Sequence, residues 1–135
     1  MTPIDPDAPL VLIVDDFDDA REIYDEYLTF KGYRVLTTTS GSAAIEIARA
    51  KRPALILMDL RMPGMTGTEA MRLLRTDPTF NGVPIVAFTA HALDGEKIGA
   101  LEAGFDEVIA KPCLPDELMA AVDRLLAARR ADQPS

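Results

Sequence analysis

One cysteine occurs in the 135 residues, Cys113, so the chain can form no internal disulfide. A reducing compartment, the cytoplasm, is therefore the expected location. Cys113 itself reads as a small, partly buried apolar side chain. No apolar run approaches the ~18 residues that a bilayer-spanning helix needs, which argues against a membrane protein. Residues 1–9 lack the basic start and apolar centre of a secretion signal. They are acidic and carry Pro3, Pro6 and Pro9, which oppose regular structure, so a flexible arm is expected there. Basic residues are also scarce: 14 Lys and Arg stand against 22 Asp and Glu, a net charge of -8. Without a basic patch, direct binding to a nucleic acid is not expected. Histidine occurs once, at His91.

What is present fits one compact domain. A chain of this length with 48% hydrophobic and 27% charged residues can bury a real core. Short apolar runs alternate with helical patterns, and no repeat or second domain interrupts them. The first strand is expected over about 10–15 and the first helix over roughly 17–31. In that helix Ala20, Ile23, Tyr24, Tyr27 and Leu28 share a face, with Asp18, Asp19, Glu22, Asp25 and Glu26 largely opposite. Gly32 closes it. A strand near Arg34–Thr38 and a helix over about 42–51 follow, then a third strand ending at Asp59. Thr66-Gly67-Thr68-Glu69 is a capping-box pattern that opens the third helix. The fourth strand is expected from Val83 to Thr89. The fourth helix, about 92–103, holds Gly95 and Gly99, each costing ~1 kcal/mol against Ala, and should be the least stable. A fifth strand runs into Lys111-Pro112, and Pro115 starts a helix with Leu118, Val122, Leu125 and Leu126 facing the core. The expectation is an α/β domain over 10–129, a doubly wound five-stranded parallel sheet with helices on both faces, and a fraying tail over 130–135. Connectivity alone leaves the strand order open.

Four of these strands end in residues that phosphoryl chemistry can use. The first runs into Asp15 and Asp16, the third into Asp59, the fourth into Thr89 and the fifth into Lys111. In an open α/β sheet ligands bind at the carboxyl ends of the strands, so these groups should converge. Adjacent carboxylates facing Asp59 suit a hard divalent cation such as Mg2+. Taken singly, each residue has a plainer explanation. The Asp pair favours a helix N-terminus, Asp59 a turn, Thr89 a strand end, and Lys111 and His91 the surface. Four strand ends in this arrangement favour function.

Together, Asp15-Asp16, Asp59, Thr89-Ala90 and Lys111-Pro112 resemble the receiver domain of two-component response regulators. The stretch Leu57-Met58-Asp59-Leu60-Arg61-Met62-Pro63-Gly64-Met65 resembles that family's phosphoacceptor segment, and the likeness covers about residues 10–127. It implies a flavodoxin-like (βα)5 sheet of order 2-1-3-4-5. It implies Asp59 as phosphoacceptor, with Lys111 paired to the phosphoryl group and Thr89 donating a hydrogen bond to it. Mg2+ would be held directly by Asp16 and Asp59, partly through water by Asp15, and by the backbone carbonyl of Arg61. The Lys111-Pro112 bond should be cis. Arg61 and His91 would flank the path of the water that removes the phosphoryl group. A histidine kinase or phosphotransfer protein would be the donor. A downstream protein partner would read the face made by the fourth helix, fifth strand and fifth helix. The protein would be a stand-alone signalling switch, monomeric or weakly dimeric, and not an enzyme. A phosphorylation-independent interaction module, or a small phosphohydrolase with an aspartyl nucleophile, is the alternative. The second lacks support because Asp59-Leu60-Arg61 has no second acid. One departure stands out. Where the family commonly has an aromatic residue three positions before the lysine, this chain has Val108, with few rotamers. Tyr33 and Phe105 are not in register to replace it, so coupling should pass through the segment Thr89–Leu93.

Overall fold

In the computed structural model, which describes residues 5–90 and 92–132, strands and helices alternate through the described residues. The elements are β1 (Leu10–Val14), α1 (Asp18–Lys31), β2 (Arg34–Thr38), α2 (Gly41–Lys51), β3 (Leu55–Met58), α3 (Gly67–Arg75), β4 (Ile85–Thr89), α4 (Asp94–Ala103), β5 (Glu107–Ala110) and α5 (Pro115–Asp132). All pairings are parallel, in the order β2-β1-β3-β4-β5. This is the flavodoxin-like order. Among the described residues no helix is long and apolar enough to cross a membrane.

Strand alternation divides the core in two. Leu12, Val14, Ile56, Met58, Ile85 and Ala87 face one layer, where Ala44, Ile45 and Ala48 of α2 and Ala70, Met71 and Leu74 of α3 cover them. Val11, Ile13, Leu55, Leu57, Val86 and Phe88 face the other, under Tyr24 and Leu28 of α1 and Leu118, Val122 and Leu126 of α5. The central strands are buried on both faces, as continuous apolar runs require. Within β1, β3 and β4 the only polar residue is Thr89, the last of β4, so polar groups in the centre of the sheet come where the strands stop.

Several boundaries differ from the sequence expectations. Helix α1 starts at Asp18 with Phe17 as an extended N-cap, because the Phe17 amide turns back to Asp15 Oδ1 at 2.9 Å. Ile23 does not join its buried face and is 45% exposed. Strand β4 starts at Ile85 rather than Val83: Pro84 has no amide to donate, while the Ile85 amide is taken by Asp106 Oδ2 at 2.8 Å. A 3-10 turn at Pro78–Phe80 was not expected; Asp77 caps it through the Thr79 amide and hydroxyl. These two bonds also hold the Asp77 carboxyl below its ordinary pKa. Helix α4 starts at Asp94, not Ala92, behind Leu93, which offers no side-chain cap. Of the expected N-terminal arm, residues 5–9 carry a turn at Asp5, and the Arg34 amide and Nε bond to the carbonyls of Pro9 and Ala8.

Two glycines fix the frame. Gly32 ends α1 with φ +104, in the left-handed region that a Cβ disfavours. Gly67 matters more. A Cβ there would lie 2.0 Å from the carbonyl oxygen of Asp59, so α3 docks directly against the chain leaving β3. Thr66 caps that helix by accepting from the Glu69 amide at 3.1 Å, as the capping-box pattern predicts. We predict that Gly67→Ala lowers stability by at least ~1–3 kcal/mol in urea denaturation, because the backbone must move to admit the methyl group. A wild-type unfolding midpoint would refute this packing.

Candidate functional site

Every strand-end residue singled out from the sequence, apart from His91, is placed at one edge of the sheet. His91 lies outside the described residues. Asp15 immediately follows β1, its amide bonded to the Thr38 carbonyl at 3.1 Å. Asp59 follows β3, its amide bonded to the Val14 carbonyl at 2.9 Å. Thr89 ends β4 and is fully buried, and the Lys111 amide donates to its carbonyl at 2.9 Å. Main-chain bonds between neighbouring strands thus set all four positions. The Lys111-Pro112 bond is cis, in agreement with the resemblance.

The side chains meet. Lys111 Nζ donates to Asp15 Oδ2 and, at 3.3 Å, to Asp59 Oδ2. All three side chains are nearly buried: Lys111 is 10% exposed, Asp15 4% and Asp59 12%. Asp16 is exposed beside them, and one carboxylate oxygen from each of Asp15, Asp16 and Asp59 lies within 4.8 Å of the others. Three carboxylates therefore face one ammonium. The site carries excess negative charge in a partly desolvated position, where charges interact more strongly than in water. Asp15 Oδ1 is occupied by the Phe17 amide and Asp59 Oδ1 by the Arg61 amide at 3.3 Å. An all-oxygen donor set with one solvent-facing member fits a hard divalent cation. No softer side chain competes in that cluster.

A cleft of about 340 Å3 opens beside Asp59 and Lys111, with Phe17, Ala20, Ile23 and Pro112 among its walls. Its walls are mostly apolar, so a bulky donor can approach the carboxylate from this side. Cys113, next in the chain, is half-buried; burial and the Glu117 carboxylate push its thiol up in pKa, so it is no candidate nucleophile.

The side chains of two further expected modulators, Arg61 and Val108, lie away from the carboxylate cluster. Arg61 does not turn its side chain over the site: Nη2 reaches Glu96 Oε1 at 3.0 Å, tying the loop after β3 to the first turn of α4. Val108 sits in β5 opposite Ala87 and packs on the α2–α3 side of the core. Sequence reasoning missed Glu96, the Phe88 ring under Lys111 and the Tyr24 ring against Phe88. Glu96 is 35 positions from Arg61, and its acidic place in a first helical turn is explained by the helix dipole alone. Phe88 and Tyr24 read simply as core, which they also are.

The family model described as the response regulator receiver domain matches residues 11–123. The chain is similar to the DNA-binding response regulator MtrA of Mycolicibacterium smegmatis, 38% identical over 93% of this chain and 53% of that protein. It is similar to the hybrid signal transduction histidine kinase D of Dictyostelium discoideum, 37% identical over 93% of this chain and 8% of that one. The chain thus spans about half the length of MtrA and a small part of the hybrid kinase. Among solved structures, it superposes on the receiver domain of a sensor histidine kinase of Pseudomonas aeruginosa, which holds a magnesium ion in its active-site cleft. That match has a TM-score of 0.83 and 33% identity, over 89% of this chain and 98% of that one.

The unequal partners of Asp15 and Asp16 separate their effects on the metal-free protein. Asp15→Asn removes an acid engaged by Lys111 and by the Phe17 amide, and should destabilise by about 1–3 kcal/mol. Asp16→Asn removes an exposed charge from a repulsive cluster and should be neutral or slightly stabilising. Thermal unfolding in EDTA distinguishes them; equal shifts for the two variants would contradict the pairing.

Proposed function

The chain belongs to the response regulator receiver domain family, and we propose that it works as a phosphorylation switch with Asp59 as the phosphoacceptor. The observation that carries this is the Lys111 ammonium 3.3 Å from an Asp59 carboxylate that shares its site with two further acids. An Oδ of Asp59 attacks the phosphorus of a phosphohistidine presented by a histidine kinase or phosphotransfer protein. The O–P bond forms, the P–N bond breaks, and its electron pair stays on the imidazole nitrogen. Asp15, Asp16, Asp59 and the backbone carbonyl of Arg61 would hold Mg2+. When bound, the ion neutralises charge on the transferred phosphoryl oxygens.

The chain's own groups do the rest. The carboxylate charge of Asp59 is consumed in the new bond, and the phosphoryl group brings about two negative charges. Lys111, already beside Asp59, then pairs with a phosphoryl oxygen as a compact point charge. Thr89 supplies a hydroxyl donor at the end of the neighbouring strand. The apolar cleft admits the donor protein while the buried sides of the site limit water.

Output follows from what is weakly held. In α4 only Ala100 is buried, whereas Ile98 and Leu101, like Leu93 just before the helix, are exposed. Gly95 and Gly99 lower its helical preference. The Arg61–Glu96 pair anchors its first turn to the loop that leaves Asp59. New charge at Asp59 draws on the Arg61 guanidinium and on Thr89 together, and both lead into α4. Val108 has no ring to swing, so this route replaces an aromatic switch. A protein partner reads the change on the face of α4, β5 and α5.

Acetyl phosphate with Mg2+ should add one phosphoryl group to the wild type by intact mass, and none to Asp59→Asn; equal labelling rejects the assignment. With beryllofluoride standing in for the phosphoryl group, amide exchange should change most between Thr89 and Gly99. Glu96→Gln should show part of that change without it. A maximum centred on Val108 would sink the proposed route.

A further inference from the structure

Lys111 rests on more than carboxylates. Its Nζ lies 5.5 Å from the centroid of the Phe88 ring, within cation–π range. Phe88 precedes Thr89 on β4, and strand alternation turns it to the sheet face covered by α1 and α5. There Tyr24 of α1 meets it edge-on, with centroids 4.6 Å apart and planes at 68°. Tyr24 is 6% exposed and meets Tyr27 in the same manner at 5.9 Å. Burial raises the Tyr24 phenol's pKa, opposed by a hydrogen bond from the Cys113 backbone and by the Lys111 charge.

The carboxylate partners of Lys111 are the groups that phosphorylation and metal binding alter. Asp59 loses its charge to the new bond, and Asp15 is drawn to the cation. A flexible four-carbon stem whose only anchors change at the moment of transfer would lose its aim. The face of an aromatic ring keeps its electrostatic character through both events. We propose that Phe88, braced edge-on by Tyr24, is the positioning residue for Lys111 and holds the ammonium over the site before and after phosphoryl transfer. This rests on Asp59 being the phosphoacceptor.

Two affinities test it, because a misplaced Lys111 affects them differently. Beryllofluoride binding at saturating Mg2+ needs the ammonium, whereas Mg2+ binding does not and gains when Lys111 releases Asp15. Phe88→Leu and Tyr24→Leu should weaken beryllofluoride by about three- to tenfold. Their Mg2+ affinity, measured by calorimetry, should be unchanged or higher. Tyr24→Phe keeps the ring and should recover the affinity that Tyr24→Leu loses. The proposal is overturned if Phe88→Leu binds beryllofluoride as the wild type does, or if both affinities fall together as a general loss of packing would make them. It is also overturned if Tyr24→Phe is as weak as Tyr24→Leu. Should Phe88→Leu fail to fold, the two Tyr24 variants decide alone. A wild type that takes up no beryllofluoride would instead remove the phosphoacceptor assignment itself.

Discussion

The pairing of one ammonium with two nearly buried carboxylates, Lys111 with Asp15 and Asp59, is the interaction around which the rest of the molecule is arranged. Leaving any one of these charges unpaired at such burial is expensive, so their mutual placement cannot drift. Backbone bonds across β2, β1, β3, β4 and β5 supply that placement: each charged residue is the first one past a strand, and each strand's end is pinned by its neighbour. The interiors of β1, β3 and β4 have no polar side chain to offer, so the polar groups collect at their ends. Excess acid is left over after Lys111 is satisfied, so the site carries net negative charge.

Close packing converts that local charge into something the helices feel. Gly67 presses α3 onto the carbonyl of Asp59, and Arg61, two residues beyond the acid, reaches α4. The loop between β3 and α3 is therefore bounded on one side by a contact with no slack and on the other by a surface ion pair. Exposed pairs of this kind contribute at most ~1 kcal/mol, which is weak enough to exchange partners when a stronger charge appears nearby. The rigid contact keeps Asp59 in register; the weak one is free to respond.

Fold class and the convergence of Asp15, Asp16, Asp59, Thr89 and Lys111 were legible in the sequence because they follow from alternation and from where apolar runs stop, whereas the strand order came only with the likeness to the receiver family. The parts that were not legible depend on tertiary partners. Pro84 moved the start of β4 because Asp106 was there to take the Ile85 amide. Phe17 stayed outside α1 because its amide had turned to Asp15. Ile23 followed helical spacing faithfully and still faced solvent, at the mouth of the cleft, since the periodic face of α1 is wider than the surface it covers. The Arg61–Glu96 pair had no pattern to betray it: both residues look like ordinary surface charges until α4 is placed against the loop.

The two layers of the molecule accordingly differ in kind. On the α1–α5 side, buried Phe88 and Tyr24 and the partly buried Tyr27 form a continuous aromatic packing. On the other side, the layer ends in α4, a helix with one buried residue, two glycines and an ion pair at its first turn. Thr89 lies between them, at the end of a strand whose preceding residue is locked into the aromatic side. A pull on Thr89 cannot readily be absorbed by moving Phe88, because displaced aromatic packing costs dispersion and burial together. The strain passes instead to the side with fewer contacts. An asymmetric core of this sort gives a direction to the proposed response without any single switching side chain, so Val108 need not turn for a pull at Thr89 to reach α4.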